Sequence, residues 1–129
     1  MNDWTPFTLT ILPERLAVCR LTPETETPAW AWSGPLQSVT RTADELSIVC
    51  AVDSVPEGIQ SETGWRAMKV DGPLDFSMVG ALASLARTLA AAGISIFVIS
   101  TYDTDYLLAR NESIDRAEEA LRAAGHRVL

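Results

Sequence analysis

Histidine and cysteine are scarce in this chain, and clustered basic residues are missing. Of 129 residues one is a histidine, His126, and two are cysteines, Cys19 and Cys50, about thirty residues apart. His126 is remote from both in sequence, so no metal-ligand spacing exists. Each cysteine sits inside an apolar, strand-like run ("LAVCRL", "LSIVCAV"), which reads as a pair of buried free thiols. Lysine and arginine are scattered singly and the formal charge is −7. A surface for phosphate backbones needs clustered positive charge, so nucleic acid is not expected as a partner. No P-loop, no Ser/His/Asp set and no Cys/His pair is visible, and no cofactor is implied. The first residues lack a basic segment followed by an apolar stretch and a cleavage site. The longest apolar run, Met78 to Ile99, is broken by Ser84, Arg87, Thr88 and Gly93, so no membrane partner is expected. A cytoplasmic, soluble protein is the expectation.

What is present is apolar content, nearly half the chain, enough to bury a core. The first sixty residues look β-rich. "FTLTIL" and "LAVCRL" flank "PER" as if in a hairpin, and "LQSVTRT" and "ELSIVCAV" form a second pair joined at "ADE". Between them Thr22 to Pro35 is too proline-rich for a helix. In an extended segment there, Trp30 and Trp32 would point the same way over a core. Asp53 to Trp65 reads as a linker or long loop.

From Trp65 the period changes. "WRAMKVDGP" alternates as a strand. Phe76, Val79, Leu82, Leu85, Ala86 and Leu89 then recur at helical spacing. Asp75 or Ser77 is placed to cap that helix, and Gly93 to end it in a left-handed conformation. Gly80, inside the pattern, is assigned to close packing of helix on sheet. "ISIFVIS" reads as a strand buried on both faces or a central strand. "YDTD" makes a turn, "YLLAR" returns, "SIDRAEEALRAAG" is a second helix, and "HRVL" a last strand. The order β-α-β-β-α-β is the split ferredoxin-like pattern, an α+β fold with helices on one face of an antiparallel sheet. Two parts are expected, 1–62 and 63–129. An internal echo links them: "VTRTADELSIVC" aligns without gaps on "VISTYDTDYLLA", matching Thr42 to Thr101 and Asp44 to Asp103. The first part is thus a degenerate copy of the second without recognisable helices.

Three segments, "TADELSIVC", "VDGPLDFSMVGALASLA" and "GISIFVISTYDTDYLLA", cover about forty of the 129 residues. They resemble the ACT-like family of small-molecule-binding regulatory domains, in the branch of short bacterial proteins related to the cytosolic arginine sensor of animal nutrient signalling. The resemblance implies tandem ACT-like units, 1–62 degenerate and 63–129 complete, and a free amino acid as ligand. Such a ligand presents a carboxylate for backbone N–H groups at a helix entrance and an ammonium for carboxylates and carbonyls. The resemblance places its contacts at Gly72, Leu74 and Asp75 after the first strand, and at Thr101, Tyr102 and Asp105 on the hairpin. The sensor-like pattern has glutamate where this chain has Asp75, one methylene longer. Plainer roles stand beside these: Asp75 as a helix cap, Asp103 as a turn former, Tyr102 as a cover for the sheet.

The leading expectation is therefore a non-catalytic amino-acid-binding regulatory or sensor protein, working as a homodimer. The alternatives are a protein-interaction module assembling through sheet edges, and an enzyme in which Asp75, Asp103 and Asp105 hold a hard cation for phosphoryl transfer.

Overall fold

A computed structural model of the protein describes residues 6–72 and 80–129. The chain divides into two compact units that are nested in sequence: Pro13–Trp65 forms one, and Met1–Leu12 with Arg66–Leu129 forms the other. The second boundary lies close to the expected division at 62/63. Residues 1–12, expected in the first unit, group with the second.

In the inserted unit the strands are β2 (Leu16–Leu21), β3 (Ser38–Arg41), β4 (Leu46–Ala51) and the first residues of β5 (Gln60–Val70). Their order is β3-β4-β2-β5, with every pairing antiparallel. That is the ferredoxin-like strand order, and loops stand where the two helices would be. One face carries Ala17, Cys19, Leu46, Ile48 and Cys50, all buried. The connection after β2 covers it with a short 3-10 turn, Ala29–Ala31, that buries Ala31 and packs Trp30 against the same cluster. Trp32 is 58% exposed, because the turn, unlike an extended segment, points the two indoles apart. The expected pair β3–β4 is present, with Val39 opposite Ile48. The latter part of the expected linker at 53–65, from Gln60 on, is strand instead. Gln60, Glu62 and Thr63 are exposed, as a strand at the edge of its unit permits, so no apolar alternation announces it.

The outer unit contains β1 (Thr8–Ile11), the remainder of β5, α1 (Ala81–Ala91), β6 (Ile96–Ser100), β7 (Asp105–Arg110), α2 (Ile114–Ala123) and β8 (Arg127–Val128). Its strand order is β6-β7-β5-β1-β8. Leu85 and Leu89 of α1 and Ile114, Ala117 and Leu121 of α2 share one core with Leu9, Met68, Val70, Leu107 and Ala109 of the sheet. Both helices therefore lie on one face, as the α+β expectation required. A fully buried leucine of this kind stabilises by roughly 1.5–3 kcal/mol.

Three further expectations are corrected. β1 does not form a hairpin with β2: it pairs antiparallel with β5 and parallel with β8, so both its edges are occupied. Gly80 is not inside α1 but precedes it, at φ +86, with nothing within 4 Å of where a Cβ would stand. Its role is the left-handed backbone rather than close packing. β6 is an edge strand, not a central one: among the described residues it pairs only with β7, and Ile96 to Ile99 are half-buried throughout. Gly93 does leave α1 in the left-handed region, at φ +74. The expected caps Asp75 and Ser77 lie outside the described residues. No helix among the described residues is long and apolar enough to cross a membrane.

Candidate functional site

In the outer unit the β6–β7 hairpin ends in a turn built by two threonines. The Thr101 N–H and hydroxyl both donate to the Thr104 carbonyl (2.8 and 3.0 Å), and the Thr104 N–H donates back to the Thr101 hydroxyl (3.3 Å). Thr104 is buried, and its own hydroxyl donates to the Val70 carbonyl at 2.6 Å. That bond ties the hairpin tip to the end of β5, two residues before Gly72. Gly72 and Thr101–Asp105 thus lie at the same end of this unit's sheet. A buried hydroxyl without such a partner would cost about 1–3 kcal/mol.

Asp105 opens β7 opposite Ser100, whose hydroxyl donates to Asp105 Oδ1 at 2.6 Å. Placing a carboxylate at a strand start, half-buried and locally bonded, orients it without burying its charge. Thr101 and Gly72 are exposed, and Tyr102 is 80% exposed, too far out to cover the sheet. The bonds that close the turn are made by Thr101, so the turn-forming role expected of Asp103 falls to a threonine. Leu74 and Asp75 lie outside the described residues. Of the six candidate ligand residues, four are therefore placed, and the hairpin three sit on one turn. Sequence reasoning missed Thr104 and Ser100. The Thr-x-x-Thr spacing was the available signal, since a threonine hydroxyl readily closes such a turn.

Among the described residues no group of three or more His, Cys, Asp or Glu is arranged to hold a metal. Both thiols are free and buried, side by side on the inserted unit's core face. Burial, then the neighbouring Cys50, pushes Cys19 up to about 11, and burial raises Cys50 as well. Neither is a reactive thiolate at neutral pH. His126 is buried, stacks on Phe7 with ring centres 5.7 Å apart, and accepts the Phe7 N–H on Nδ1 at 3.0 Å. Burial lowers its pKa, so the neutral ring that this bond requires is favoured. An open groove of about 370 Å³ on the inserted unit is lined by Val18, Arg20, Glu45, Ser47 and Glu62 among others, and by none of the candidate ligand residues.

Two ranges of the chain match family descriptions. A domain family described as an N-terminal domain matches residues 14–58, and the ACT domain matches residues 60–123. The chain belongs to the ACT-domain family. Over 59 residues, 45% of its length, this ACT-domain protein is 39% identical to the cytosolic arginine sensor for mTORC1 subunit 1 of human and cattle. It spans only 18% of those curated relatives. A solved protein of Agobacterium tumefaciens is 39% identical with a TM-score of 0.92, over 98% of this chain and 94% of that one. The regulatory subunit of aspartate kinase from Thermus thermophilus, solved ligand-free, shares the fold: TM-score 0.61 at 12% identity, over 91% of this chain and 96% of that one.

Proposed function

We propose that this ACT-domain protein is a non-catalytic regulatory module that binds a free amino acid at the tip of the outer unit's sheet. The proposed contacts are Gly72, Leu74 and Asp75 in the sequence after β5, and Thr101, Tyr102 and Asp105 in the β6–β7 hairpin. The observation that carries the reading is the Thr104–Val70 bond, which keeps the oriented Asp105 carboxylate and the glycine at one end of the sheet. Asp105 takes the ligand's cationic group, and backbone N–H groups take its carboxylate. No catalytic step is assigned. Support for the class of ligand comes from the family and from relatives named as arginine sensors. A cytoplasmic location goes with relatives named cytosolic.

The test is a thermal-shift screen of the twenty amino acids at millimolar concentration. A ligand at 100-fold over its Kd adds about 2.7 kcal/mol, a rise of several degrees in Tm. Asp105→Asn abolishes the shift while leaving the unliganded Tm nearly unchanged. No shift with any amino acid overturns the proposal.

A second reading, assembly of two copies through sheet edges, is favoured by β6. Among the described residues that strand pairs only with β7, and its half-buried Ile96, Val98 and Ile99 carry no charge, the kind of edge proteins normally protect. Size-exclusion chromatography with and without amino acid separates the readings: a dimer indifferent to every small molecule favours interaction alone.

A further inference from the structure

The two units build the same hairpin turn, and they differ at one rung. In the inserted unit the Thr42 N–H and hydroxyl donate to the Glu45 carbonyl (2.9 and 3.4 Å), and the Glu45 N–H returns to the Thr42 hydroxyl (3.2 Å). These are the bonds of Thr101 and Thr104, fifty-nine residues earlier. The last ladder pair before the turn is Arg41 opposite Leu46 in one unit and Ser100 opposite Asp105 in the other. Leu46 and the Asp105-side residues Leu107 and Ala109 belong to the respective cores, so the two rungs face equivalent sides of their sheets.

Arg41 uses that position fully. Its guanidinium donates to the carbonyl of Pro23, to the carbonyl of Thr25 at 2.8 Å, and to the hydroxyl of Thr27 at 3.5 Å. These three acceptors lie on the connection that follows β2, the first strand of its unit. The corresponding connection in the other unit is the one that begins at Asp71, after β5. A planar, permanently charged fork held by carbonyls and a hydroxyl is the arrangement by which a protein receives a guanidinium compound. Here the guanidinium comes from the chain itself.

We infer that the connection Pro23–Thr27 is a guanidinium-binding site filled in cis by Arg41, which closes this unit to external ligand and fastens the loop that replaces a helix. The site takes small guanidinium cations once Arg41 is removed. The inference concerns the unit that the proposed amino-acid site does not use, so either can fail without the other.

The experiment is chemical rescue. Arg41→Ser, which installs the residue found at the equivalent rung, lowers Tm by roughly 2–6 °C. Millimolar methylguanidinium chloride restores at least half of that loss in R41S and leaves the wild-type Tm unchanged, while equal ammonium or sodium chloride does not. In the same titration the amide resonances of Thr25 and Thr27 shift in R41S alone. If R41S does not fold, Arg41→Gln, neutral and close in length, is carried through the same titration. A variant as stable as wild type, a rescue matched by ammonium or sodium, or a folded variant in which methylguanidinium changes neither Tm nor those resonances overturns the inference.

Discussion

The two units carry the same turn on different foundations. Around Thr101 the turn rests on a sheet backed by two helices, and its buried neighbour Thr104 is bonded to β5. Around Thr42 the same bonds close over a sheet backed only by loops, with Glu45 in place of Thr104 and Arg41 reaching across to hold the connection. A local hydrogen-bond pattern can thus persist where the packing beneath it has been replaced. What changes is the chemistry offered at the rung beside it: a seryl–aspartyl pair in one unit, a cation already engaged in the other.

The sharpest way to test that contrast is to weaken each foundation. Leu107→Ala, in the core shared with both helices, costs about 2–5 kcal/mol, and Ile48→Ala, its counterpart under loops, costs toward the lower end of that range. Urea unfolding of both variants measures the pair, and equal losses would show that loops cover a sheet as well as helices do. Smaller effects come from the turns themselves. Thr101→Ala and Thr42→Ala each remove the same hydroxyl contacts and cost about 0.5–1.5 kcal/mol. A difference above about 1 kcal/mol between them would break the equivalence.

The smallest effect is one of pH and touches only the outer unit. The folded pKa of His126 is lowered, so the unfolded chain binds its proton more readily. Its contribution is therefore complete above the ordinary value of about 6.5 and is lost as pH falls below it. Tm measured from pH 8 to pH 5 falls in wild type by more than in His126→Phe, which has no proton to gain.

Much of this was legible from residue spacing. The helix at Ile114, Ala117 and Leu121 and the pair β3–β4 follow from apolar periods that local structure obeys directly. The turn echo was legible because Thr42 and Asp44 match Thr101 and Asp103 in the same strand-turn-strand order. What escaped was long-range. Nothing near Thr8–Ile11 says that its partners are Met68–Val70 and Arg127–Val128, since pairing depends on contacts remote in sequence. The apolar run Ile96–Ile99 imitates a central strand, because hydrophobicity records burial and not strand order. Arg41 gave no warning: its acceptors are backbone carbonyls, which every residue carries. At the candidate site, Thr101 and Asp105 were named through the family resemblance, while Ser100 and Thr104, which bond to them, were not.

The nested course of the chain has a bearing on its synthesis. β1 leaves the ribosome before every other strand described, yet the ring that receives the Phe7 amide is 119 residues downstream. The segment 13–65, by contrast, emerges as one uninterrupted stretch. During translation the inserted segment is ready to form early, while the opening strand waits, one flank bare, until β8 arrives to close the outer sheet around it.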